Sequence, residues 1–259
     1  MGQCVQQVIA QDPEIMLVAK LERGQGLDEI FKGLCGGSYP LRHPVFAPQK
    51  SGTPPTGSPA SKLPLIPLAA LDQKLLKDLV WIDFSSPQAT MEYLSYCRRH
   101  KVPMVIGTTG FSEAEKNLIA EGATDIPVLC SANMSVGMNL LFKALSFLRD
   151  QIPAPLSAGI IDLHHAHKKD APSGTALTLA KIIQGTGADS STLDTVSIAS
   201  LRMGTHPGTH TVIFSLPGEQ LSFSHQAEDR LIFARGALRA AQWLVHQPPG
   251  LYDMQAVLA

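Results

Sequence analysis

Charge of either sign is scarce in this chain. Twenty-one Lys and Arg stand against 22 Asp and Glu, a net charge of −1, and charged residues make up only 17% of the sequence. No basic surplus is available for a phosphate backbone or an anionic bilayer, so neither nucleic acid nor a membrane is an expected partner. Any small anion must be held by local groups. Cysteine is equally thin: Cys4, Cys35, Cys97 and Cys130 lie far apart without a Cys-x-x-Cys pair, so neither a zinc ribbon nor a disulfide framework is signalled. A reducing cytoplasm is the expected location. No apolar run reaches the roughly 18 residues that a membrane-spanning helix needs, and no basic stretch followed by an apolar one opens the chain.

What is present is an ordinary globular composition, 259 residues with 44% hydrophobic, enough for one sizeable core or two modest ones. Val5, Val8 and Ile9 repeat at helical spacing within 3–11, and Asp12-Pro13 ends that helix. Strands are expected at 15–21, 79–84, 102–106 and 126–129, with helices at 89–100 and 112–122 between them. This alternation predicts a parallel α/β sheet. Ligands of such sheets lie beyond the carboxyl ends of the strands. Glu22-Arg23, Asp83-Phe84, Gly107-Thr108-Thr109 and Ser131-Ala132-Asn133 occupy those ends and are read together as one cofactor crevice. Between 40 and 67 stand eight of the 19 prolines, so neither helix nor strand is expected there, only a long surface loop of about 38–68.

After Met134 the texture changes. A helix is expected at 136–150, a short strand at 158–161, then the run Asp162-Leu163-His164-His165-Ala166-His167-Lys168-Lys169-Asp170-Ala171-Pro172-Ser173-Gly174-Thr175-Ala176. Leu177, Leu179, Ile182 and Ile183 continue at helical spacing, which makes the charged run a strand-to-helix loop with Pro172 just inside the helix start. Free N–H groups and hydroxyls of Ser173-Gly174-Thr175, with Lys168 and Lys169, suit a carboxylate or phosphate. An imidazole titrates near neutrality, so His164 suits acid–base work. His164-x-x-His167 also has a metal-like spacing, but the adjacent lysines argue against a cation and no metal is expected. A hairpin is expected where 209–216 and 220–227 flank Pro217-Gly218-Glu219, and a helix at 232–245.

The run resembles the signature of the dihydrodipicolinate (4-hydroxy-tetrahydrodipicolinate) reductase family, Glu-x-His-His-x-x-Lys-x-Asp-Ala-Pro-Ser-Gly-Thr-Ala, with Asp162 in place of the leading Glu. Further similarity lies in Leu21-Glu22-Arg23, Ile82-Asp83-Phe84-Ser85, Val105 to Phe111, Ala132 to Gly137, Pro207-Gly208-Thr209-His210, Phe233 to Leu238 and Gly250 to Met254. The resemblance implies a Rossmann-like dinucleotide-binding domain, 1–133 with 229–259, and an inserted α+β substrate-binding and oligomerisation domain, 134–228. It implies NAD(P)H-dependent reduction in lysine and diaminopimelate biosynthesis by a homotetramer. His164 and Lys168 would be catalytic, and His165, Ser173, Gly174 and Thr175 would hold a dicarboxylate substrate. Glu22, Arg23, Phe84, Gly107, Thr108, Thr109, Ser131, Ala132, Asn133 and Met134 would bind NADH or NADPH. Glu22, twenty positions after Gly2, has the spacing of an acid on the adenosine ribose, whereas Arg23 suits a 2′-phosphate.

A strand and a Gly-x-x-Gly-x-Met-Gly turn come first in the resembled family, and Met1-Gly2 matches only its final pair. The expectation is therefore a sheet short of its central first strand and its phosphate-binding turn. Two explanations stand side by side: a start placed at an internal methionine, or a shortened relative that serves as a binding or oligomeric protein. A metal-dependent hydrolase built on the histidines is a third class.

Overall fold

The computed structural model describes residues 1–11, 79–151, 157–185 and 196–259, together with the backbone of two short strands at 16–19 and 44–46. Two compact units emerge, one of Met1–Met134 with Phe233–Ala259 and one of Ser135–Ile232. Among the described residues no helix is long and apolar enough to cross a membrane.

The first unit carries a six-stranded parallel sheet, flanked by helices in the Rossmann manner. Along it run β1 (Met16–Ala19), β2 (Pro44–Phe46), β3 (Val80–Asp83), β4 (Met104–Ile106), β5 (Pro127–Cys130) and, last in the chain, β10 (Gly250–Tyr252), in that spatial order. Val80-Trp81-Ile82 and Met104-Val105-Ile106 are apolar without alternation and fully buried, as strands covered on both faces must be. Val5, Val8 and Ile9 form the buried stripe of α1 (Gly2–Ile9). Ser86 caps α2 (Pro87–His100) by accepting the Ala89 N–H, and Arg98, Arg99 and His100 sit in its last turn, where positive charge suits the helix dipole. Ser112 and Glu115 close a capping box at the start of α3 (Glu113–Gly122).

The Pro-rich stretch departs from expectation. A three-residue strand, β2, does form within it, and Pro44 is its first residue, the place in a strand where a missing N–H costs least. β2 pairs in parallel with both β1 and β3. The sheet therefore has no open slot between those two strands. The rest of the loop lies outside the described residues.

The second unit is a four-stranded mixed sheet of β6 (Ser157–His164), β7 (Val196–Arg202), β8 (Gly208–Leu216) and β9 (Glu219–Ala227), in the order β7-β6-β8-β9. One face is covered by α4 (Val136–Arg149) and α5 (Gly174–Gln184), whose Met138, Phe142, Leu145, Leu179 and Ile183 pack on Ile160, Val212 and Phe214. On the other face Ile161 and Leu201 stay exposed. The hairpin turns at Pro217-Gly218, with Gly218 at φ +83.

The chain returns to the first unit through α6 (Leu231–Leu244), followed by β10 and the short α7 (Met254–Val257). A Cβ at Gly236 on α6 would lie 1.7 Å from the Met134 carbonyl oxygen. Backbone cannot step aside as a side chain can, so Gly236→Ala is expected to cost about 1–3 kcal/mol or more. Denaturant unfolding checks this, and a midpoint equal to that of the unsubstituted chain would remove the close packing from the account.

Candidate functional site

Strand period two decides what the second unit buries at one end. Along β6 the inward residues are Ala158, Ile160, Asp162 and His164, so the apolar face ends in a carboxylate and an imidazole. The strand thus runs three residues further than expected, taking Asp162, Leu163 and His164 out of the loop. Register then supplies their neighbours. Asp162 lies opposite His210 on β8 and Ser200 on β7, and His164 lies opposite Arg202.

Asp162 is the hub of this cluster and is fully buried. Its Oδ2 accepts from the Ser173 N–H at 2.9 Å, from the Ser200 hydroxyl at 3.1 Å and from the Arg202 guanidinium at 3.1 Å. Its Oδ1 lies 2.9 Å from His164 Nδ1 and 3.3 Å from His210 Nε2. Burial alone would raise this carboxyl, but hydrogen bonds from Ser173, the Arg202 charge and His164 outweigh it and hold it at about 2. Burial pushes His210 down to about 4, helped by His164 and opposed by Asp162. His164 is also lowered by burial, against the pull of Asp162.

The loop then carries the remaining candidates. Half-buried His165 is lowered by its partial burial and by the nearby positive charges of Arg230, Lys168, His167 and Arg202. Lys168 Nζ contacts Asp170 Oδ1 at 2.8 Å. Arg202 also bonds the Asp170 carbonyl at 2.6 Å, tying the loop to β7.

Pro172 lies before the cap rather than inside the helix, because Ser173 is the N-cap and its hydroxyl accepts the Ala176 N–H. That hydroxyl also lies 3.1 Å from His210 Nε2. Ser173 is 2% exposed and its N–H is given to Asp162, so both of its polar groups serve the protein itself. Gly174 and Thr175 form the first turn of α5, the end of a helix that favours an anion.

In the first unit the ends of β3, β4 and β5 come into line, with Asp83 opposite Ile106 and Ile106 opposite Cys130. Phe84, Gly107-Thr108-Thr109 and Ser131-Ala132-Asn133 therefore leave the sheet at one edge. Asp83 organises this edge. Its carboxylate accepts from the Ser85 N–H, the Thr90 hydroxyl and the Thr108 hydroxyl, and its carbonyl accepts the Gly107 N–H at 2.8 Å. Thr108 is thus turned inward, and Met134 is buried at 2% exposure. Thr109 and Ala132 are exposed. A Cβ at Gly107 would fall 2.1 Å from the Phe84 ring, so only glycine leaves that backbone and ring so close. A strand-end edge of this kind, with Thr109 and Ala132 exposed, suits a nicotinamide nucleotide. Glu22 and Arg23 lie outside the described residues.

Ser200, Arg202 and Thr90 carry no signal in the sequence that marks them as site residues, and Asp83, expected at the crevice, serves it from beneath by fixing Ser85, Thr90 and Thr108. His210 belongs to the family-like stretch Pro207-Gly208-Thr209-His210, but nothing local marks it as a partner of Asp162. The metal-like set is also not the expected one: Asp162, His164 and His210 bring ligand atoms within 4.8 Å of one another, all buried.

Comparison with known proteins agrees across the chain. Residues 1–134 match the family described as dihydrodipicolinate reductase, N-terminus, and residues 137–258 match dihydrodipicolinate reductase, C-terminus. A dipicolinate-bound dihydrodipicolinate reductase from Paenisporosarcina sp. TG-14 superposes with a TM-score of 0.57 at 21% identity, covering 92% of this chain and 98% of its own. An engineered D-amino acid dehydrogenase gives a TM-score of 0.50 at 12% identity, covering 100% of this chain and 93% of its own. These two likenesses concern the fold.

Proposed function

Because the chain belongs to the dihydrodipicolinate reductase family, and so is an NAD(P)H-dependent oxidoreductase, we propose that it reduces 4-hydroxy-tetrahydrodipicolinate to tetrahydrodipicolinate in lysine and diaminopimelate biosynthesis. The observation that carries this reading is the buried His164, backed by Asp162 and followed within one loop by Lys168 and the start of α5. Water leaves the hydroxylated ring, and a hydride and a proton are added to the conjugated system that remains. A bound nicotinamide supplies the hydride and ends oxidised.

His164 exchanges that one proton, and Lys168 stabilises the charge that develops and relays the same proton to the ring. Lys168 must then leave Asp170 for the substrate. His165 and the first turn of α5 at Gly174 and Thr175 take a carboxylate. Ser173 contributes by shaping that turn, since its own N–H and hydroxyl are engaged. In the first unit Phe84, Gly107, Thr109, Ser131, Ala132 and Asn133 hold the nicotinamide or its ribose, while Thr108 and Met134 fix the backbone beneath it.

Glu22 takes the adenosine ribose diol and Arg23 the 2′-phosphate of NADPH. Glu22→Ala is expected to weaken NADH more than NADPH, whose added phosphate a carboxylate repels, and Arg23→Ala to do the reverse. Calorimetric titration of both nucleotides against both variants checks this, and an unchanged preference in both would reject the assignment. The reaction takes place in the cytoplasm, and the chain works as a homotetramer. Ile161 and Leu201, apolar and exposed on the sheet among the described residues, support the tetramer.

The direct test supplies freshly generated 4-hydroxy-tetrahydrodipicolinate and NADH or NADPH to the purified chain and follows loss of reduced nucleotide. Consumption that requires the substrate is expected. Nucleotide and dicarboxylate binding without turnover would instead point to a binding or oligomeric relative.

A further inference from the structure

We propose that Asp162 and His210 are positioning residues for His164: from behind the imidazole they hold Nδ1 inward and leave Nε2 as the atom that exchanges the proton, beside a gap kept open by Gly208. The inference rests on the reading of His164 as the acid–base group. It assigns work to a buried carboxylate and a buried histidine that the reaction does not otherwise use.

The geometry begins with saturation. Three donors already occupy Asp162 Oδ2, so Oδ1 is the oxygen left for the imidazoles. His164 Nδ1 stands 2.9 Å from it and His210 Nε2 3.3 Å, and the two rings meet edge to face with centroids 5.1 Å apart. These contacts are short but out of line, and Oδ1 and His164 Nδ1 make no aligned hydrogen bond. A small rotation of the His164 ring therefore decides whether Nδ1–H reaches the carboxylate. His210 limits that rotation from the side, itself steadied by Ser173 Oγ at 3.1 Å.

On the opposite edge of His164, Gly208 omits the side chain that would otherwise crowd Nε2. A Cβ at position 208 would lie 2.9 Å from His164 Nε2 and 3.5 Å from His210 Cε1. Any side chain there would press on the nitrogen that must meet substrate. Nδ1–H directed to Asp162 leaves the Nε2 lone pair outward, the tautomer a carboxylate behind a histidine selects.

A cation at Asp162, His164 and His210 is the competing use of the same atoms. Arg202 already neutralises the carboxylate, and Lys168 and Arg202 both add positive potential at His164. A divalent ion would have to displace or outbid them. The ionisable groups that face the pair are Asp162 on β6, Lys168 in the loop, Arg202 on β7 and His225 on β9, opposite His210.

Nitrogen-15 spectra of the full-length chain report the tautomer without any substitution. His164 is expected to carry its proton on Nδ1 near neutral pH; a proton on Nε2 would overturn the proposal. His210→Gln and Asp162→Asn are each expected to mix the tautomers, shift the pH midpoint of kcat/KM and lower kcat on the order of tenfold, with KM little changed. Gly208→Ala is expected to lower kcat while the Nδ1 tautomer persists. Unchanged spectra and pH profiles in His210→Gln and Asp162→Asn, with His164→Gln inactive, would remove the positioning role alone. Normal turnover in His164→Gln would end both this inference and the acid–base reading beneath it.

Discussion

His164→Gln is expected to lower kcat on the order of a hundredfold or more, and Lys168→Ala to do the same, with the fold intact. Glutamine keeps polarity and approximate length but carries no exchangeable charge near neutrality, so the loss isolates proton transfer. Lys168 is only partly buried and pairs with Asp170, a carboxylate in its own loop, so its removal should cost little stability. The pH dependence has a definite sign. Burial holds His164 below its ordinary value, so the protonated acid is lost from the free enzyme at a midpoint below about 6.5. As pH rises through that midpoint kcat/KM should fall, and His164→Gln should abolish the limb. Steady-state rates across pH measure both effects, and near-normal turnover by His164→Gln would remove the assignment.

Acid is expected to weaken the second unit in two successive windows. His210 is depressed from 6.5 to about 4, so the unfolded chain binds a proton that the folded one refuses. Stability present above about 6.5 is therefore lost as pH falls toward 4, roughly 3 kcal/mol in all. Asp162, held at about 2 against an ordinary 3.8, adds about 2 kcal/mol that disappears as pH falls from 3.8 toward 2. Asp162→Ala should cost more than either at neutral pH. It leaves Arg202 and the Ser173 N–H without their buried acceptor, a loss of about 3–5 kcal/mol for a broken buried pair. Denaturant unfolding at several pH values checks these expectations. A His210→Asn chain that still loses stability between 6.5 and 4 as steeply as the parent would show that another group carries the first window.

Much of this architecture was legible because its signals are local. The Val5, Val8 and Ile9 stripe, the helical pattern at 112–122 and the Pro217-Gly218 turn each lie within a few residues of the structure they specify. The apolar runs at 79–84 and 102–106 likewise announced buried parallel strands, with ends offset by only one or two residues. The centre of the site was less legible, since Asp162 meets Ser200, Arg202 and His210 only through strand register across 38 to 48 positions of sequence. Nothing local reveals that register. The end of β6 was missed for a related reason: Asp162 and His164 are polar on an inward face, and alternation breaks where the core becomes a site. The Ser173 hydroxyl is expected on a ligand and caps α5 instead, because a capping hydroxyl and a ligand-binding hydroxyl look alike until the partner of each is known. In β2, the strand is too short for periodicity and lies among prolines, and only its neighbours β1 and β3 make it a strand.

Hydride transfer to the dicarboxylate ring can be followed by isotopic labelling. The purified chain is given nicotinamide nucleotide deuterated at the transferring carbon, together with 4-hydroxy-tetrahydrodipicolinate, and the product is weighed by mass spectrometry. Tetrahydrodipicolinate carrying one deuterium is expected, formed by the parent chain and sharply reduced in His164→Gln. Nucleotide binding without labelled product, or labelled product formed equally well by His164→Gln, would contradict it.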